Sequence, residues 1–457
     1  MPDGVLSTVM MVDYLKRHTD NVTFIAHQRS EGHGIGSDDN IPKDTDLLLI
    51  LDSSSSEADE CKVLSETMDI VIIDHHNLER ENPYVILVNQ QQQDSYPNPY
   101  SCATLLVFKF IELMDYTYNK VDTNYYLDLV ALTLLSDSMN MLIPENRYFV
   151  YKGMQKINNV GLLALVNASR NQNKTLTAQI FNFDIIPVIN TTTRNNEIEK
   201  AFKIMFEKDY FKAKRMADSL IKSNKDRKQR IKELMKQYEK TMQDEKFIYV
   251  VDKEATKNYN GLVAQKLSDK YKKPALVLKD NGESYQGSYR SYNGFDVQSF
   301  LKNNPYAEFA AGHPEAGGSE VKVENWDKFK QYINDNIDDE LFKSVIEYDI
   351  ELTEDDLTWE LVEGILEFDH VYGNGSTKIV VNINNVFIHE RELFPPNKPE
   401  HVKIKSDKLD LMSFNDSKYA NDVGAFDEIS VIGTLSINDF KKNERRIQLF
   451  IEDYRKH

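Results

Sequence analysis

Four short apolar runs in the first part of the chain constrain its fold more than any other feature, because helical patterns separate them. The runs are NVTFIAH (21–27), DLLLILD (46–52), MDIVIID (68–74) and YVILVN (84–89). Strands that alternate with helices are typical of an α/β domain with a parallel sheet. Three runs end in His27, Asp52 and Asp74, and sites in such sheets form beyond the carboxyl ends of the strands. The pattern predicts an α/β domain over residues 1–195 with a polar site at that edge.

The remaining residues predict three further parts. Residues 196–246 form a long charged helical stretch in which basic residues outnumber acidic ones, as in a solvated connecting helix or a basic wall beside a nucleic acid. Residues 247–338 read as a second, smaller α/β unit with a Gly-rich region, built from FIYVVD (247–252), GLVAQKLSDKY (261–271), PALVLK (274–279) and NWDKFKQYINDNI (325–337). Residues 344–457 are dominated by strand patterns, which predict a small β-barrel or sandwich. We expect Phe387 and Phe414 in its core, and a hairpin turn at 441–446.

Composition excludes several protein classes. The 457 residues are 41% hydrophobic and 28% charged, which excludes disordered and collagen-like chains. The net charge of -18 is an average over the whole chain, so it argues only weakly against a nucleic-acid partner. Clustered carboxylates can also serve another purpose, which is to hold divalent metals. Cys61 and Cys102 are expected as buried thiols in a reducing compartment. We expect no membrane span and no signal peptide, and a cytoplasmic location (the host cytoplasm if the gene belongs to a phage).

The motif Asp74-His75-His76 stands directly after the apolar run IVII and offers one carboxylate and two imidazoles. Carboxylate oxygen and imidazole nitrogen together suit Mn²⁺ or a related divalent cation. Because the chain is leaving the strand, one histidine can bind metal while the other faces a substrate. A surface turn with incidental histidines is the alternative for such a pair taken by itself.

Three further aspartates stand where they could complete a metal site. Asp52 follows DLLLIL, Asp137 lies in the apolar context ALTLLSDSM, and Asp3 precedes an apolar helical pattern. Burying an aspartate is costly unless it is paired or bound to metal. The alternatives are a helix N-cap for Asp52, in the DSSSSE turn, and a turn with a cap for Asp3.

These motifs, taken with several others in the same order, resemble the DHH phosphoesterase superfamily and, within it, the RecJ-type single-strand exonucleases. Asp74-His75-His76 is the motif that names the superfamily. The other stretches that carry the resemblance are HQRSEGHGI (27–35), residues 129–158, PVINTTTR (187–194), GSYRSYNGFDV (287–297), AAGHPEAGG (310–318) and the tail with VYGNG, LMSF and RRIQLFIEDY. The match implies a DHH domain, a DHH-associated domain and a C-terminal OB-like domain.

The resemblance also implies phosphodiester hydrolysis at two divalent ions, Mn²⁺ or Mg²⁺. Asp3, Asp52, His75 and Asp137 would hold metal, with Asp52 bridging the two ions. His76 would face the substrate phosphate, and Asp74 would orient a histidine. From the DHH-associated domain, Arg290 and His313 would act on the phosphate. The substrate-binding positions carried over are Asn190, Arg194, Ser288, Gly312, Gly317 and Gly318. The alternatives are a surface ion pair for Arg290, and loop structure for Asn190 and Arg194.

The chain departs from the family at the family's first motif, which reads His-x-x-x-Asp-x-Asp-Gly, where x is any residue. Asp3-Gly4 followed by Ser7 fits the second half, while Met1 stands at the first Asp and the first strand is absent. One metal site then keeps all its protein ligands, and the other keeps only Asp52. Either residues precede the start given, or the chain is a descendant that binds without cutting. Thr193 replaces a usual Gly.

Three functions remain open at this point. The first is a metal-dependent exonuclease of single-stranded DNA, acting 5′ to 3′ and releasing mononucleotides in recombination, repair or replication. The second is a phosphodiesterase of short oligonucleotides or cyclic dinucleotides, although such enzymes generally lack the connecting helix and the OB-like tail. The third is a binding protein without catalysis. The expected partners are single-stranded DNA and a single-strand-binding protein or helicase, with the chain itself a monomer.

Overall fold

The computed structural model describes residues 2–27, 34–36, 40–92, 96–119, 122–169, 175–240, 245–342, 346–394, 401–414, 422–438 and 445–457. Residues 28–33 of the stretch HQRSEGHGI and 441–444 of the expected hairpin turn lie outside them. The helices are α1 (Pro2–Leu15), α2 (Ala58–Leu64), α3 (Ala103–Tyr118), α4 (Leu127–Ser136), α5 (Pro144–Gln155), α6 (Val160–Ala168), α7 (Ala178–Ile180), α8 (Ile186–Arg194), α9 (Ile198–Phe206), α10 (Tyr210–Tyr238), α11 (Lys257–Tyr271), α12 (Val297–Lys302), α13 (Trp326–Asn336) and α14 (Trp359–Phe368).

The strands are β1 (Leu47–Leu51), β2 (Asp69–Ile73), β3 (Ile86–Val88), β4 (Ile248–Asp252), β5 (Ala275–Asp280), β6 (Ser284–Arg290), β7 (Ala307–His313), β8 (Ala316–Lys322), β9 (Ile350–Thr353), β10 (Val380–Phe387), β11 (Glu390–Phe394), β12 (His401–Lys405), β13 (Leu409–Phe414), β14 (Glu428–Asn438) and β15 (Arg446–Lys456). They form three sheets. Residues 1–218 and 346–457 make up one compact unit, and residues 219–345 make up a second. No helix in the described part of the chain combines the length and apolar character that a membrane crossing requires.

The N-terminal sheet of the first unit is parallel, in the order β1-β2-β3. Ile50, Ile70 and Ile72 form its core with the buried thiol of Cys61, because parallel strands are apolar on both faces. The pairs Leu51–Ile73 and Ile73–Val88 bring the carboxyl ends of the strands level. Asp52, Asp74 and Asn89 therefore leave the sheet side by side.

The strand predicted at 21–27 is wrong, since this segment carries no strand in the structure. Phe24 and Ile25 are 42% and 45% exposed, and the ring of Phe24 packs on Phe202 and Phe206 of α9. Apolar, β-branched composition makes a strand only where a neighbouring strand supplies the hydrogen-bond ladder. No strand in the described parts of the chain pairs with this segment.

Asp128, in the first turn of α4, fixes the entry into α6. Its carboxylate accepts hydrogen bonds from the backbone N–H groups of Asn158 (2.8 Å) and Asn159 (2.7 Å). Asn159 in turn caps α6 by accepting a hydrogen bond from the backbone N–H of Leu162. Burial raises the pKa of Asp128 to about 6.

This raised pKa predicts a pH-dependent contribution to stability. A carboxyl group whose pKa is higher in the folded than in the unfolded chain stabilises the fold while it is protonated, and loses that contribution as pH rises through the folded-state value. The free energy of unfolding of the parent, relative to Asp128→Asn, should fall by about 2 kcal/mol between about pH 4.5 and pH 7. Urea unfolding of both chains at the two pH values measures it, and a constant difference would contradict the assignment.

The C-terminal part of the first unit is a mixed seven-stranded sheet in the order β11-β12-β13-β15-β14-β10-β9. Alternate residues such as Val381, Ile383, Leu411 and Leu449 form its core. Helix α14, which the strand patterns did not predict, buries Val362 and Ile365 in that core. The expectation that Phe387 and Phe414 are core residues is wrong, because they are 40% and 49% exposed. A bulge in β10 between Ile383 and Val386 changes which positions face inward, and leaves Phe387 outside.

The second unit contains a five-stranded sheet in the order β4-β5-β6-β8-β7, with α11, α12 and α13. Its predicted strands FIYVVD and PALVLK are β4 and β5. The Gly-rich stretch AAGHPEAGG, for which no strand was predicted, lies in β7 and β8, which pair antiparallel around a turn at Pro314-Glu315. Glycine disfavours strands through its flexibility, but here close contact between the strands leaves no room for larger residues.

The segment predicted as the connecting helix, 196–246, contains two helices, α9 and α10. PVINTTTR, for which loop structure was the alternative, lies in α8. A π-helical turn, Phe181–Ile185, leads into α8.

Candidate metal centre

Four candidate ligands converge at the carboxyl edge of the N-terminal sheet. Nε2 of His75 lies 3.3 Å from Oδ1 of Asp52, 3.4 Å from Oδ2 of Asp137 and 3.6 Å from Oδ2 of Asp3. Ligand atoms about 2.1 Å from one divalent cation are roughly 3.0–3.5 Å from each other. The spacing of these side chains therefore fits a shared cation better than direct hydrogen bonds.

Two atoms of this cluster lack partners. Nε2 of His75 and Oδ1 of Asp52 are buried and make no hydrogen bond with any described residue. Their separation of 3.3 Å lacks hydrogen-bond geometry. A buried polar atom without a partner is costly, and a bound cation would remove that cost at both atoms. The donor set, three carboxylates and an imidazole, fits Mn²⁺ or Mg²⁺.

Asp3 is held from a distant part of the chain. The residue lies within α1, and its fully buried carboxylate accepts hydrogen bonds from the backbone N–H groups of Ala103 and Thr104 (2.8 Å each) and from Oγ1 of Thr104 (2.6 Å). The alternative of a capped turn at Asp3-Gly4 does not apply, since both residues are helical and the Asp3 carboxylate binds the first turn of α3. Gly4 makes room for Asp52, because a Cβ atom on Gly4 would lie 3.2 Å from Oδ2 of Asp52.

Asp52 does not cap a helix. Helix α2 begins at Ala58, beyond the DSSSSE turn, and its N-cap residue is Glu57. Asp52 has a φ of 63° and Ser54 a φ of 71°, both in the left-handed region that non-glycine residues avoid. Such strain persists where surrounding contacts require it, and is frequent at functional sites.

The charges at the cluster affect each other. Burial raises the pKa of Asp3, and the negative charges of Asp52 and Asp137 raise it further. Burial alone would lower the pKa of His75, but the negative charges of the three aspartates raise it above its usual range. Without a cation, the cluster therefore retains protons to balance its carboxylates.

Asp74 organises the histidines instead of joining this group of four. Oδ2 of Asp74 accepts a hydrogen bond from Oγ of Ser55 (2.7 Å), and Oδ1 accepts one from the backbone N–H of His75 (2.7 Å) and lies 2.6 Å from Nδ1 of His76. These hydrogen bonds outweigh burial and hold the pKa of Asp74 well below its usual range. The same contact with Asp74 raises the pKa of His76, whose ring is 41% exposed. Asp52, Asp74, His75 and His76 form a second group with metal-ligand spacing.

Asn89 and Gln90 also support the site, and the sequence analysis missed both. Asn89 donates from Nδ2 to the carbonyl oxygen of His76 and to Oγ of Ser55, at 3.0 Å each. Gln90 donates from Nε2 to the carbonyl oxygen of Ser101 (3.0 Å) and to that of His75 (3.4 Å). Both follow β3 directly, so the strand-end rule that identified Asp52 and Asp74 applied to them as well.

The other predicted site residues lie elsewhere. Asn190 and Arg194 are half-buried on α8, and neither belongs to a metal-ligating group in the described residues. The remaining positions, all in the second unit, are Ser288, Arg290, Gly312, His313, Gly317 and Gly318.

Within the second unit, these residues lie on paired strands. Ser288 and Arg290 on β6 face Gly318 and Ala316 on β8. Nη1 of Arg290 donates to the carbonyl oxygen of Tyr289 (2.6 Å), and a Cβ atom on Gly261 would lie 2.6 Å from Nη2 of Arg290. Burial lowers the pKa of Arg290. The arginine is thus half-buried, and its guanidinium is held by the backbone of Tyr289 and packed against Gly261 of α11.

Close packing accounts for two of the three glycines. A Cβ atom on Gly312, which has a φ of 124°, would meet Cα of Gly317 at 2.6 Å, and one on Gly317 would meet Oη of Tyr289 at 2.3 Å. At Gly318 the nearest atom would be the carbonyl oxygen of Gly287 at 3.3 Å. The hydroxyl of Tyr289 donates to the carbonyl oxygen of His313 (2.8 Å), which fixes the end of β7 and leaves the histidine exposed.

Comparison with known proteins places this geometry in a family. Residues 2–134 match the DHH family, N-terminal domain, and residues 348–453 match the RecJ OB domain. YorK, an SPbeta prophage-derived protein of Bacillus subtilis (strain 168) named as a candidate single-strand DNA-specific exonuclease, is 26% identical over 98% of this chain and 85% of its own length. The single-stranded-DNA-specific exonuclease RecJ of the same strain is 27% identical over 99% of this chain and 60% of its own.

The fold matches a solved structure as well. The crystal structure of RecJ in complex with Mn²⁺ from Thermus thermophilus superimposes with a TM-score of 0.78 and 19% identity, covering 100% of this chain and 68% of that one. A structure of RecJ from the same organism in complex with Mg²⁺ gives a TM-score of 0.72 and 17% identity, over 100% of this chain and 66% of that one. The chain therefore combines a DHH domain with a RecJ OB domain and has the fold of RecJ.

Proposed function

We propose that this protein is a metal-dependent exonuclease that hydrolyses single-stranded DNA from the 5′ end and releases mononucleotides. The observation that carries the proposal is the convergence of Asp3, Asp52 and Asp137 on the unpartnered Nε2 atom of His75. RecJ and YorK, named as DNA exonucleases, align with nearly the whole chain. The role that follows is in recombination, repair or replication, in the cytoplasm of the cell or of a phage host.

The proposed chemistry needs a divalent cation, Mn²⁺ or Mg²⁺, held by Asp3, Asp52, His75 and Asp137. A cation there would activate a water molecule for attack and neutralise charge on the scissile phosphate. Asp52, whose Oδ1 lies 3.3 Å from the His75 nitrogen on which Asp3 and Asp137 also converge, is the residue that we assign to bridge two ions. Its left-handed backbone aims the carboxylate into the cluster.

His76 would act on the substrate. Its contact with Asp74 favours the imidazolium form, which can donate a hydrogen bond to a phosphate oxygen as negative charge develops. The Asp74 carboxylate also accepts hydrogen bonds from the backbone N–H groups of both histidines. Asp74 would therefore position both His75, the proposed metal ligand, and His76, the proposed substrate-facing ring. The exposed fraction of the His76 ring makes it accessible to DNA.

Residues beyond the metal centre would bind the DNA strand. In the second unit, the half-buried fork of Arg290 suits a phosphate, with Ser288, His313 and the open backbone at Gly318 near it in register. Asn190, Arg194, Gly312 and Gly317 complete the proposed contacts. A single-strand-binding protein or a helicase would deliver the DNA to a monomer.

The C-terminal sheet offers a surface for stacking bases. Phe394, His401 and Phe414 stand opposite one another on β11, β12 and β13, with ring centroids 5.2 Å to 6.2 Å apart. The ring of Phe450 on β15 lies 5.9 Å from that of Phe414. Aromatic rings in such a row bind single strands with little sequence preference. We therefore assign DNA guidance to this face.

End-labelled DNA tests the polarity. With Mn²⁺ and a long single strand labelled at its 5′ end, the label should appear as mononucleotide from the first time points. The same strand labelled at its 3′ end should release its label only after most of the strand has been degraded. Early release from the 3′ end would reverse the proposed direction, and internal fragments would indicate an endonuclease. Duplex DNA of the same sequence is the control and should remain intact.

A further inference from the structure

The connection between α14 and β10 contains a tight turn, Gly373–Ser376, that packs against the loop behind Asp137. The backbone N–H of Gly373 donates to the carbonyl oxygen of Ser376 (2.8 Å), and the N–H of Ser376 returns a bond to Gly373 (3.1 Å). We refer to these four residues as the 373–376 turn, and to Ser138–Met141 as the 138–141 loop. The turn belongs to the C-terminal domain, which contributes no candidate metal ligand among the described residues.

Two reciprocal hydrogen bonds join the turn to the loop. Nδ2 of Asn374 donates to the carbonyl oxygen of Ser138 (2.8 Å), and the backbone N–H of Met141 donates to the carbonyl oxygen of Asn374 (2.7 Å). Asn374 of the turn therefore forms hydrogen bonds with both ends of the 138–141 loop. Ser138 is the residue directly after Asp137.

Steric fit makes this contact specific. A Cβ atom on Gly375, which has a φ of 76°, would lie 2.4 Å from Oδ1 of Asn140, and one on Gly373 would lie 3.0 Å from Cγ of Met141. A side chain at Gly375 would therefore separate the turn from the loop or displace Asn140. Asn140 in turn accepts, at its carbonyl oxygen, a hydrogen bond from Nδ2 of the buried Asn146 (3.0 Å).

The loop begins at the point where the regular helix α4 ends. Asp137 is the C-cap of α4, outside the regular helix, and Ser138 has a φ of 56°. A non-glycine residue in the left-handed region is held there by surrounding contacts. The bond from the N–H of Met139 to the carbonyl oxygen of Leu134 (3.0 Å) is one such contact, and the bond from Asn374 to Ser138 adds a second, one residue away from the ligand itself.

Arg147 anchors the same connection a second time. On α5, it donates from Nη2 to the carbonyl oxygen of Phe368, and its guanidinium lies 4.0 Å from the centre of the Phe368 ring. The N–H of Ala178 binds the carbonyl oxygen of His370 (2.9 Å). These contacts at Phe368 and His370 hold the chain just ahead of the 373–376 turn.

We propose that the 373–376 turn positions Asp137, with Asn374 as its positioning residue, so that the C-terminal domain sets metal affinity and turnover at a centre to which it gives no ligand. The inference rests on the proposed function only in assigning a metal to Asp137. Its consequence is that the domain proposed to guide DNA also holds the ligand cluster in its working geometry.

Calorimetric titration of the full chain with Mn²⁺ tests the proposal, using the variants Asn374→Ala and Gly375→Ala. Gly375→Ala should weaken Mn²⁺ binding roughly tenfold, as expected when the support of a metal ligand is disturbed. Asn374→Ala removes one hydrogen bond without strain and should weaken Mn²⁺ binding about threefold or more. Gly364→Ala is the matched control, since it adds the same methyl group to α14, where no atom lies within 4 Å of the new Cβ.

Two further measurements distinguish a positioning role of the 373–376 turn from a general structural defect. They are kcat and the affinity for single-stranded DNA in the presence of EDTA. We expect kcat to fall with Mn²⁺ affinity while the Kd for a single strand in EDTA stays at the parent value. Mn²⁺ affinities of Asn374→Ala and Gly375→Ala equal to that of Gly364→Ala would overturn the proposal. So would a loss of strand affinity with Mn²⁺ binding unchanged. A parent that binds Mn²⁺ without degrading DNA would refute the exonuclease alone, and the Mn²⁺ comparison would still decide the role of the turn.

Discussion

Replacing Asp52 by asparagine is expected to lower kcat for single-stranded DNA by about 10³-fold or more, the scale of loss when a group that stabilises transition-state charge is removed. Asparagine suits this position, because it tolerates the φ of 63° that alanine would strain. The variant should still bind a single strand, since the surfaces proposed to bind DNA lie elsewhere. Degradation at the parent rate would refute the metal assignment.

Thermal unfolding supplies an independent readout for the same variant. A cation that binds only the folded chain raises its Tm, so Mn²⁺ should stabilise the parent and have little effect on Asp52→Asn. In EDTA the variant should be at least as stable as the parent, since it removes one carboxylate from beside Asp3 and Asp137. Asp69→Asn is the matched control, because Asp69 is exposed at the opposite end of β2. It should keep the parent's Mn²⁺ response and rate.

Replacing His76 by alanine is expected to lower kcat about 10²- to 10⁴-fold, the range for a positioned group that donates a proton or hydrogen bond in the transition state. Mn²⁺ affinity should change much less, because Nε2 of His75 is the nitrogen inside the carboxylate cluster. Asp74→Asn should move the alkaline decline of kcat to lower pH. Without the Asp74 carboxylate the raised pKa of His76 falls, and the imidazolium is lost earlier.

A surface pair controls for the general effect of removing a histidine. Nε2 of His389 lies 2.8 Å from Oδ1 of Asp407, and both side chains are exposed. His389→Ala should therefore leave the pH profile of kcat unchanged. If His76→Ala also left kcat and its pH profile intact, His76 would have no part in the reaction. Equal losses of Mn²⁺ affinity and kcat would make His76 a metal ligand.

The sequence predicted the polar edge of the N-terminal sheet because its cause is local. Asp52 and Asp74 follow apolar runs that pair in register, and their side chains must emerge together. The partner of Asp3 could not be predicted in this way, since Thr104 lies about a hundred positions further along the chain. The same limit applies to residues 21–27, whose composition favours a strand while no described strand pairs with them.

In the C-terminal sheet, the strand positions followed from composition, but the orientation of Phe387 did not. One bulge changes which residues of β10 face inward, and a period-two reading of the sequence cannot locate it. The strands β7 and β8 were not predicted, because their glycines disfavour strands by composition. Contact with Tyr289 and between the strands nevertheless requires glycines there.

The binding of Asp3 to the start of α3 bears on how the proposed metal site would exchange an ion. The first turn of a helix carries partial positive charge, and both Asp3 oxygens accept backbone N–H groups there. This fixed charge offsets part of the repulsion among the aspartates when no cation is present. The ligands can therefore keep their arrangement through loss and reloading of the ion. Replacing Mg²⁺ with Mn²⁺ then becomes a matter of diffusion and dehydration, without a refolding step.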